Sequence, residues 1–315
     1  MERYRVIEVG ALDEWGDFLG GFTPKDSCYG RRVLEKELPL TFFGMTVNSR
    51  KPGDGIGSWH YHDVMDELYL FLGGEGEMGL DDDVLPVKAG SAVWVGTRTW
   101  RTWRCSPTSP TNLAMLCIRA GAGPVADYTG AGGDWVRLEA SERPLPWPRP
   151  DQVREGGRDS GRDGEAGAGY AIVELGSLNE WGSHFGGLAP ELSYPGRRVL
   201  EQELPVTYFG VTANSMEPGS GVEFWHSHSV LDELYLVLDG EGEMGLDDDV
   251  VPVRAGSAVW VGQGIRRAWR CVPASPTPMK WLCIRAGGAP LSDFPYDGGE
   301  ATVFDPSELP LPWEA

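Results

Sequence analysis

The chain has 315 residues, of which 41 % are apolar and 23 % charged, and this length and balance suit about two folded domains. Asp and Glu outnumber Lys and Arg by 47 to 27, and the net charge of −20 excludes the basic surface that nucleic acids and anionic membranes require. No apolar run reaches the ~18 residues of a membrane span, and the first residues lack an apolar signal core. We therefore expect a cytoplasmic protein whose partners are neither nucleic acid nor membrane.

The first half of the chain has the pattern of an all-β domain. A short helix is predicted around Leu12–Leu19; after it the apolar runs are short, rich in β-branched and aromatic residues, and separated by Gly, Pro and Asp. These runs predict strands at residues 67–72, 84–87, 92–95 and 114–118. Many short strands at even spacing indicate a β-sandwich or β-barrel.

A glycine-rich stretch, Gly74–Gly79, matches the GxGxxG pattern of dinucleotide-binding loops. Two glutamates lie inside the stretch and three aspartates follow it, and these carboxylates would repel a pyrophosphate. We therefore predict a turn between two strands here and a solvated turn at Asp81–Asp83. The same reasoning applies to Gly240–Gly245 in the second half.

The second half of the chain repeats the first at a constant offset. Gly30–Glu35 recurs as Gly196–Glu201, a shift of 166 residues that is kept throughout the repeat. Residues 148–169 are rich in Gly, Arg, Asp and Glu without apolar periodicity, which predicts a flexible linker. The predicted domains are therefore residues 1–147 and residues 170–315.

Histidine is scarce, and four of the five histidines form two His-x-His pairs. On a strand, His60 and His62 project from the same face, and a bend at residues 63–66 would bring Glu67 beside them. Two imidazoles and one carboxylate form a facial triad suited to Fe(II), Mn(II) or a similar divalent ion, with coordination positions left open. A single such pair is commonly structural, but the spacing recurs, which favours a metal site in at least one half. The second set is His226, His228 and Glu233.

The five cysteines are an odd number without CxxC spacing. Neither a disulfide framework nor a cysteine zinc site is therefore predicted. We expect small buried side chains in a reducing compartment.

The histidine motif resembles the first motif of the cupin superfamily. The family spacing of two histidines, a glutamate and a glycine is similar to that of His60, His62, Glu67 and Gly74, and the second half repeats it. The start of the second cupin motif is similar to residues 86–90. The resemblance spans most of each half and implies a tandem bicupin, with one jelly-roll β-barrel per half and a metal ion inside the barrel.

One position departs from the family pattern. The family usually supplies a histidine as fourth ligand, and the corresponding positions here hold Arg101 and Arg267. Arginine stays protonated and is no practical ligand. Two interpretations are open: each arginine orients an anionic substrate at the open face of the metal, or it forms an ion pair with Glu67 or Glu233 in a barrel without metal. A further alternative is an additional ligand from Glu77 or its counterpart.

Two pairs of aromatic residues complete the candidate site. Tyr69 and Tyr235 lie two residues after the glutamates and so share their strand face, and with the two arginines they are the predicted catalytic residues. Trp59 and Trp225 adjoin the first histidines and are predicted to line a substrate pocket. Burial in the barrel core is the alternative for these aromatic side chains.

The expected function is that of a non-haem metal-dependent enzyme, in particular an Fe(II) dioxygenase acting on a small anionic or aromatic substrate. A facial triad leaves positions for substrate and oxygen, although Mn, Ni or Zn could replace iron. The alternatives are a metal-dependent isomerase or lyase and a non-catalytic protein that binds a small ligand. The chain is expected to act as a monomer or a homo-oligomer.

Overall fold

The computed structural model describes residues 3–128, 135–147, 169–188, 193–294, 301–305 and 307–313. These residues form antiparallel strands and a few short 3₁₀ helices, which confirms the all-β prediction. Apart from Gly169, the predicted linker lies outside the described residues. None of the helices in the described ranges has the length and apolar character needed to cross a membrane.

The first barrel is a jelly-roll sandwich of a six-stranded and a five-stranded sheet. The six-stranded sheet consists, in spatial order, of Tyr170–Glu174 (β14), Ser91–Val95 (β10), Asp66–Gly73 (β7), Leu113–Ala120 (β12), Phe43–Arg50 (β5) and Arg31–Val33 (β4). The five-stranded sheet consists of Trp135–Glu139 (β13), Ser58–His62 (β6), Arg101–Cys105 (β11), Glu75–Leu80 (β8) and Asp83–Lys88 (β9).

The second barrel has the same two sheets in the same order. Its six-stranded sheet consists of Tyr4–Glu8 (β1), Ser257–Val261 (β23), Asp232–Asp239 (β20), Met279–Ala286 (β25), Phe209–Met216 (β18) and Arg197–Val199 (β17). Its five-stranded sheet consists of Asp249–Arg254 (β22), Glu241–Leu246 (β21), Arg267–Cys271 (β24), Trp225–His228 (β19) and Ala301–Phe304 (β26).

Short elements connect these sheets. Two-stranded ribbons are formed by Leu19–Gly20 (β2) with Cys28–Tyr29 (β3) and by Phe185–Gly186 (β15) with Tyr194–Pro195 (β16). Within the described ranges the 3₁₀ helices are Glu14–Asp17, Leu34–Lys36, Val125–Asp127, Leu178–Ser183, Leu200–Gln202 and Leu291–Asp293.

The two halves exchange their first strands. β1, from the first half, pairs with β23 of the second barrel, and β14, from the second half, pairs with β10 of the first barrel. Each six-stranded sheet is thus completed by a strand from the other half, which covers an edge that would otherwise offer unpaired backbone groups. This exchange ties the two barrels together through main-chain hydrogen bonds.

The two faces of β7 show where the core lies. Leu68, Leu70 and Leu72 belong to a large apolar cluster that both halves share. Tyr69 and Phe71 point the other way, into a separate cluster inside the first barrel. The predicted alternation along this strand is therefore confirmed, and it places the residues of the Glu67 face inside the barrel.

The local predictions hold with two refinements. The four predicted strands fall within β7, β9, β10 and β12, whereas the predicted helix is only the single 3₁₀ turn Glu14–Asp17. Gly74 has a φ of +74° in the turn from β7 to β8, and a Cβ there would lie 2.4 Å from the carbonyl oxygen of Asn112. Only Gly74 of the predicted turn Gly74–Gly79 lies in a turn, because Glu75–Leu80 is strand β8. The two strands joined at Gly74 belong to different sheets, so the connection is not a hairpin.

Candidate metal centres

The first centre lies where the chain crosses from one sheet to the other. β6 carries His60 and His62 on its inner face, and β7, in the opposite sheet, begins one residue before Glu67. The crossing supplies the bend that the sequence predicts at residues 63–66. One ligand atom from each of the three side chains lies within 4.8 Å of the other two.

The two oxygens of the Glu67 carboxylate have different surroundings. Oε2 accepts hydrogen bonds from the Tyr69 hydroxyl at 2.5 Å and from Nη1 of Arg101 at 2.9 Å. Oε1 lies 3.3 Å from Nε2 of His62 and 3.3 Å from Sγ of Cys117. Oε2 is therefore held by fixed donors, with Nε2 of His60 3.8 Å away, while Oε1 faces His62. Outer partners orient a metal-ligating carboxylate in this way.

The protonation states suit a cation. Burial lowers the pKa of His60 to about 4, and burial also lowers that of His226 to about 3, so both imidazoles are neutral at physiological pH. Burial alone would raise the pKa of Glu67, but His62 and Arg101 outweigh it and hold the pKa well below its usual range. Burial and the Glu67 charge raise the pKa of Tyr69, which stays a hydroxyl donor.

The second centre repeats this arrangement. The ligand atoms of His226, His228 and Glu233 also lie within 4.8 Å of one another, and Nε2 of His228 is 3.3 Å from Oε1 of Glu233. The Tyr235 hydroxyl donates to Oε2 of Glu233 at 2.6 Å, and Nε of Arg267 donates to the same oxygen at 2.8 Å. Two imidazoles and one ionised carboxylate in each barrel fit a divalent metal ion with open coordination positions.

Both arginines pair with the glutamates, and Arg101 is placed differently from the predicted substrate clamp. Arg101 and Arg267 are fully buried and form ion pairs with Glu67 and Glu233, which is the pairing of the second interpretation. The three guanidinium nitrogens of Arg101 all have partners, since the backbone carbonyls behind it accept from Nε and Nη2. Arg101 therefore orients the carboxylate from behind and does not reach an open face of the centre.

Trp59 and Trp225 do not line the centres, which corrects their predicted role. They alternate with the histidines along β6 and β19 and therefore point to the opposite face of each strand. Their indole Nε1 atoms donate to the carbonyl oxygens of Pro144 at 3.1 Å and Pro310 at 3.2 Å. Both are buried under the Pro-Leu-Pro-Trp segments that end each repeat, as in the core alternative.

Glu77 also lies away from the histidines. Its carboxylate forms an ion pair with Arg104 at 2.6 Å, and Glu243 does the same with Arg270. Neither glutamate belongs to a metal-binding group among the described residues. The alternative of an additional ligand from these positions is therefore not supported.

Sequence reasoning missed one pair of residues beside the centres and placed a second pair differently. Cys117 and Cys283 are each in contact with the glutamate, although the sequence indicates only small buried side chains. For Arg31 and Arg197 the sequence favours a solvated pair that faces Glu35 or Glu201. The structure places them opposite Asn48 and Asn214, and the two glutamates pair instead with Arg119 and Arg285. The alternation of side chains along each strand is the signal that could have found them.

Comparison with known proteins agrees with this geometry. A family model for the cupin domain matches residues 49–119 and again residues 215–285, each range spanning one centre. The protein is a bicupin. No curated protein matches the chain in sequence.

Solved structures share the bicupin fold at low sequence identity. The protein Ylba from E. coli is 12 % identical, with a TM-score of 0.52 and 91 % of both chains covered. Oxalate decarboxylase from Bacillus subtilis is 15 % identical, with a TM-score of 0.54, over 81 % of this bicupin and 70 % of that chain. Another structure of that enzyme, studied for its Mn(II) centres, matches with a TM-score of 0.50 and 14 % identity over 81 % and 71 %. At such identities the likeness shows the fold.

Proposed function

We propose that this bicupin is a non-haem metal-dependent enzyme, specifically an Fe(II) dioxygenase that acts on a small anionic substrate. The observation that carries the proposal is the pair of His/His/Glu groups, each with three converging ligand atoms. A facial set of two imidazoles and one carboxylate leaves positions for other ligands and is typical of Fe(II) oxygenases. When bound, Fe(II) would supply the activation of oxygen.

The surrounding residues support this proposal by holding the ligands in place. Tyr69 and Arg101 fix one oxygen of Glu67, so that the other stays directed at His62. Outer partners of this kind commonly change metal affinity or activity by about 10- to 100-fold when removed. We therefore assign the predicted catalytic residues Tyr69, Tyr235, Arg101 and Arg267 to positioning the carboxylate.

Nitric oxide binding tests the proposal without knowledge of the substrate. The protein is purified without a histidine tag, loaded with Fe(II) in the absence of oxygen, and exposed to nitric oxide. We expect the high-spin EPR signal of a non-haem iron nitrosyl, because the three protein ligands leave open positions. A variant with both His60→Ala and His62→Ala should lose the signal of one centre and keep that of the other. Bound iron that gives no nitrosyl signal would refute the dioxygenase.

A redox-neutral lyase or isomerase is the second candidate. It is favoured by the Mn(II) centres of oxalate decarboxylase, which has a similar fold. A divalent metal would then polarise a carbonyl or carboxylate group. Oxygen uptake during turnover separates the two candidates, because only the dioxygenase consumes O₂.

A further inference from the structure

The two centres differ in how completely their polar groups are satisfied. In the first barrel, the buried nitrogens of His60, Arg31 and Arg101 all have partners or solvent. In the second barrel, four buried nitrogens around the centre have no hydrogen-bond partner among the described residues. They are Nδ1 of His226, Nη2 of Arg267, Nε1 of Trp269 and Nε of Arg197. Buried polar groups in native proteins are nearly always hydrogen-bonded, so this cluster requires a ligand or ordered water.

One residue difference between the repeats accounts for the unpaired Nε of Arg197. In the first barrel, Nε of Arg31 donates to Oδ1 of Asn48 at 3.3 Å. In the second barrel, the hydroxyl of Tyr194 lies 3.5 Å from the equivalent oxygen, Oδ1 of Asn214. The position of Tyr194 in the first repeat is a cysteine, which does not compete in this way. Nε of Arg197 is therefore left without the acceptor that Arg31 has, and Cζ of Arg197 lies 5.1 Å from the centre of the Tyr194 ring.

The unpaired groups surround His226. Arg267 is its direct partner in the neighbouring strand, and the ring of Trp269 lies 5.4 Å from the imidazole. Arg197 lies opposite Asn214, and Asn214 lies opposite Trp281. The ring of Trp281 is 6.0 Å from that of Trp269, so Arg197 belongs to the same group of side chains. Arginine and the indole N–H can only donate hydrogen bonds. A ligand that satisfies them must therefore be rich in acceptors, and a planar anion such as a carboxylate matches guanidinium best.

The strand that pairs with each histidine strand also differs between the two barrels. Opposite His62, β13 places Trp135, whose ring lies 6.4 Å from His60. Opposite His228, β26 places Ala301. On this neighbouring strand an indole thus lies beside the first centre and a methyl group beside the second, where the ring of Phe224 lies 6.1 Å from His226.

We propose that the second barrel binds the substrate and that it holds a small carboxylate between Arg197, Nη2 of Arg267 and Nε1 of Trp269. This inference rests on the proposed function, for which it names the substrate class and the barrel that takes it. The first centre, with its donors already paired, does not bind the carboxylate.

Acetate binding to the metal-free protein tests the inference, because it removes any contribution from metal coordination. The NMR linewidth of ¹³C-labelled acetate is measured as protein is added, and acetamide serves as the neutral probe of the same shape. We expect acetate to bind and acetamide not to bind. Hydrogen bonds to charged groups contribute about 1.5–3 kcal/mol, so Arg197→Gln should weaken acetate binding by about tenfold or more.

The repeat supplies the matched control. Arg31→Gln changes the equivalent arginine of the first barrel and should leave acetate affinity within about twofold. Trp269→Phe should weaken binding while Trp103→Phe does not. Arg197→Lys, which keeps the charge, guards against a loss caused by misfolding and should retain part of the affinity.

Three results would overturn the inference: no acetate binding by the unmodified protein, equal losses in the two arginine variants, or no loss in Arg197→Gln. The metal content of each protein is measured separately. A chain that binds acetate through Arg197 but takes up no metal would refute the proposed enzyme and leave the carboxylate site standing. A chain that binds metal but fails the acetate test would refute the carboxylate site and leave the proposed enzyme standing.

Discussion

Replacing Arg101 by methionine tests how the first centre is held together. The substitution keeps much of the side-chain volume but removes the charge that lies 2.9 Å from Glu67. Both side chains are at most 5 % exposed, so water cannot replace the lost partner. The Glu67 carboxylate would remain ionised and buried, with Tyr69 as its strongest remaining donor.

The size of the effect follows from this geometry. Two unit charges at 2.9 Å attract by about 6 kcal/mol at an effective dielectric constant of about 20. Part of this offsets desolvation, and breaking a buried pair on one side commonly costs about 3–5 kcal/mol. We expect Arg101→Met to lower the free energy of unfolding of the metal-free protein by this amount. The loss should be smaller when a divalent cation is bound, because the cation also neutralises Glu67.

Hydrogen exchange measured by mass spectrometry suits this protein, because it reports the opening of each barrel separately. Arg101→Met should speed exchange in β7 and β12, and the matched variant Arg267→Met should do the same in β20 and β25. Combining Arg101→Met with Glu67→Gln removes both charges and should restore most of the stability that the single variant loses. The reasoning would be refuted if Arg101→Met lowered the free energy of unfolding of the metal-free protein by less than about 1 kcal/mol. It would also be refuted if the double variant were no more stable than the single one.

Three further predictions follow from other contacts. Burial raises the pKa of Asp66 to about 6 from 3.8, so the folded state holds more protons between those values and its stability falls as pH rises through that window. Asp66→Asn should therefore raise the melting temperature at pH 8 and have little effect at pH 4; equal effects at both would contradict this. Deleting residues 1–9 removes β1 and the fully buried Val9, and should lower the melting temperature of the second barrel, which calorimetry would show, whereas deleting only residues 1–2 should not. Tyr69→Phe should weaken metal binding about tenfold in a competition titration without abolishing it, and unchanged affinity would exclude a positioning role for the hydroxyl.

The sequence predicts the centres well because their geometry is local. A strand places His60 and His62 on one face by its two-residue period, and Glu67 follows after a short crossing. The same spacing recurs at an offset of 166 residues, which favours a functional site over a chance pattern. The alternation along β7 likewise assigns Tyr69 to the barrel interior.

The features that the sequence did not predict depend on long-range contacts. The direction of the Arg101 guanidinium is decided by backbone carbonyls near residues 96 and 99, which no spacing rule includes. Trp59 is covered by a segment that begins 85 residues later. The exchange of β1 and β14 leaves each repeat intact in sequence, so the repeat alone cannot reveal it.

Elemental analysis tests the central claim, that both His/His/Glu groups bind a divalent metal. The protein is purified without added metal, reconstituted with Fe(II), Mn(II), Ni(II) or Zn(II), and freed of excess metal before measurement. We predict two ions per chain, one for each group, and one ion per chain in the variant with His60→Ala and His62→Ala. Substoichiometric metal that reconstitution does not raise would contradict the claim and would mean that Arg101 and Arg267 neutralise the glutamates in place of an ion.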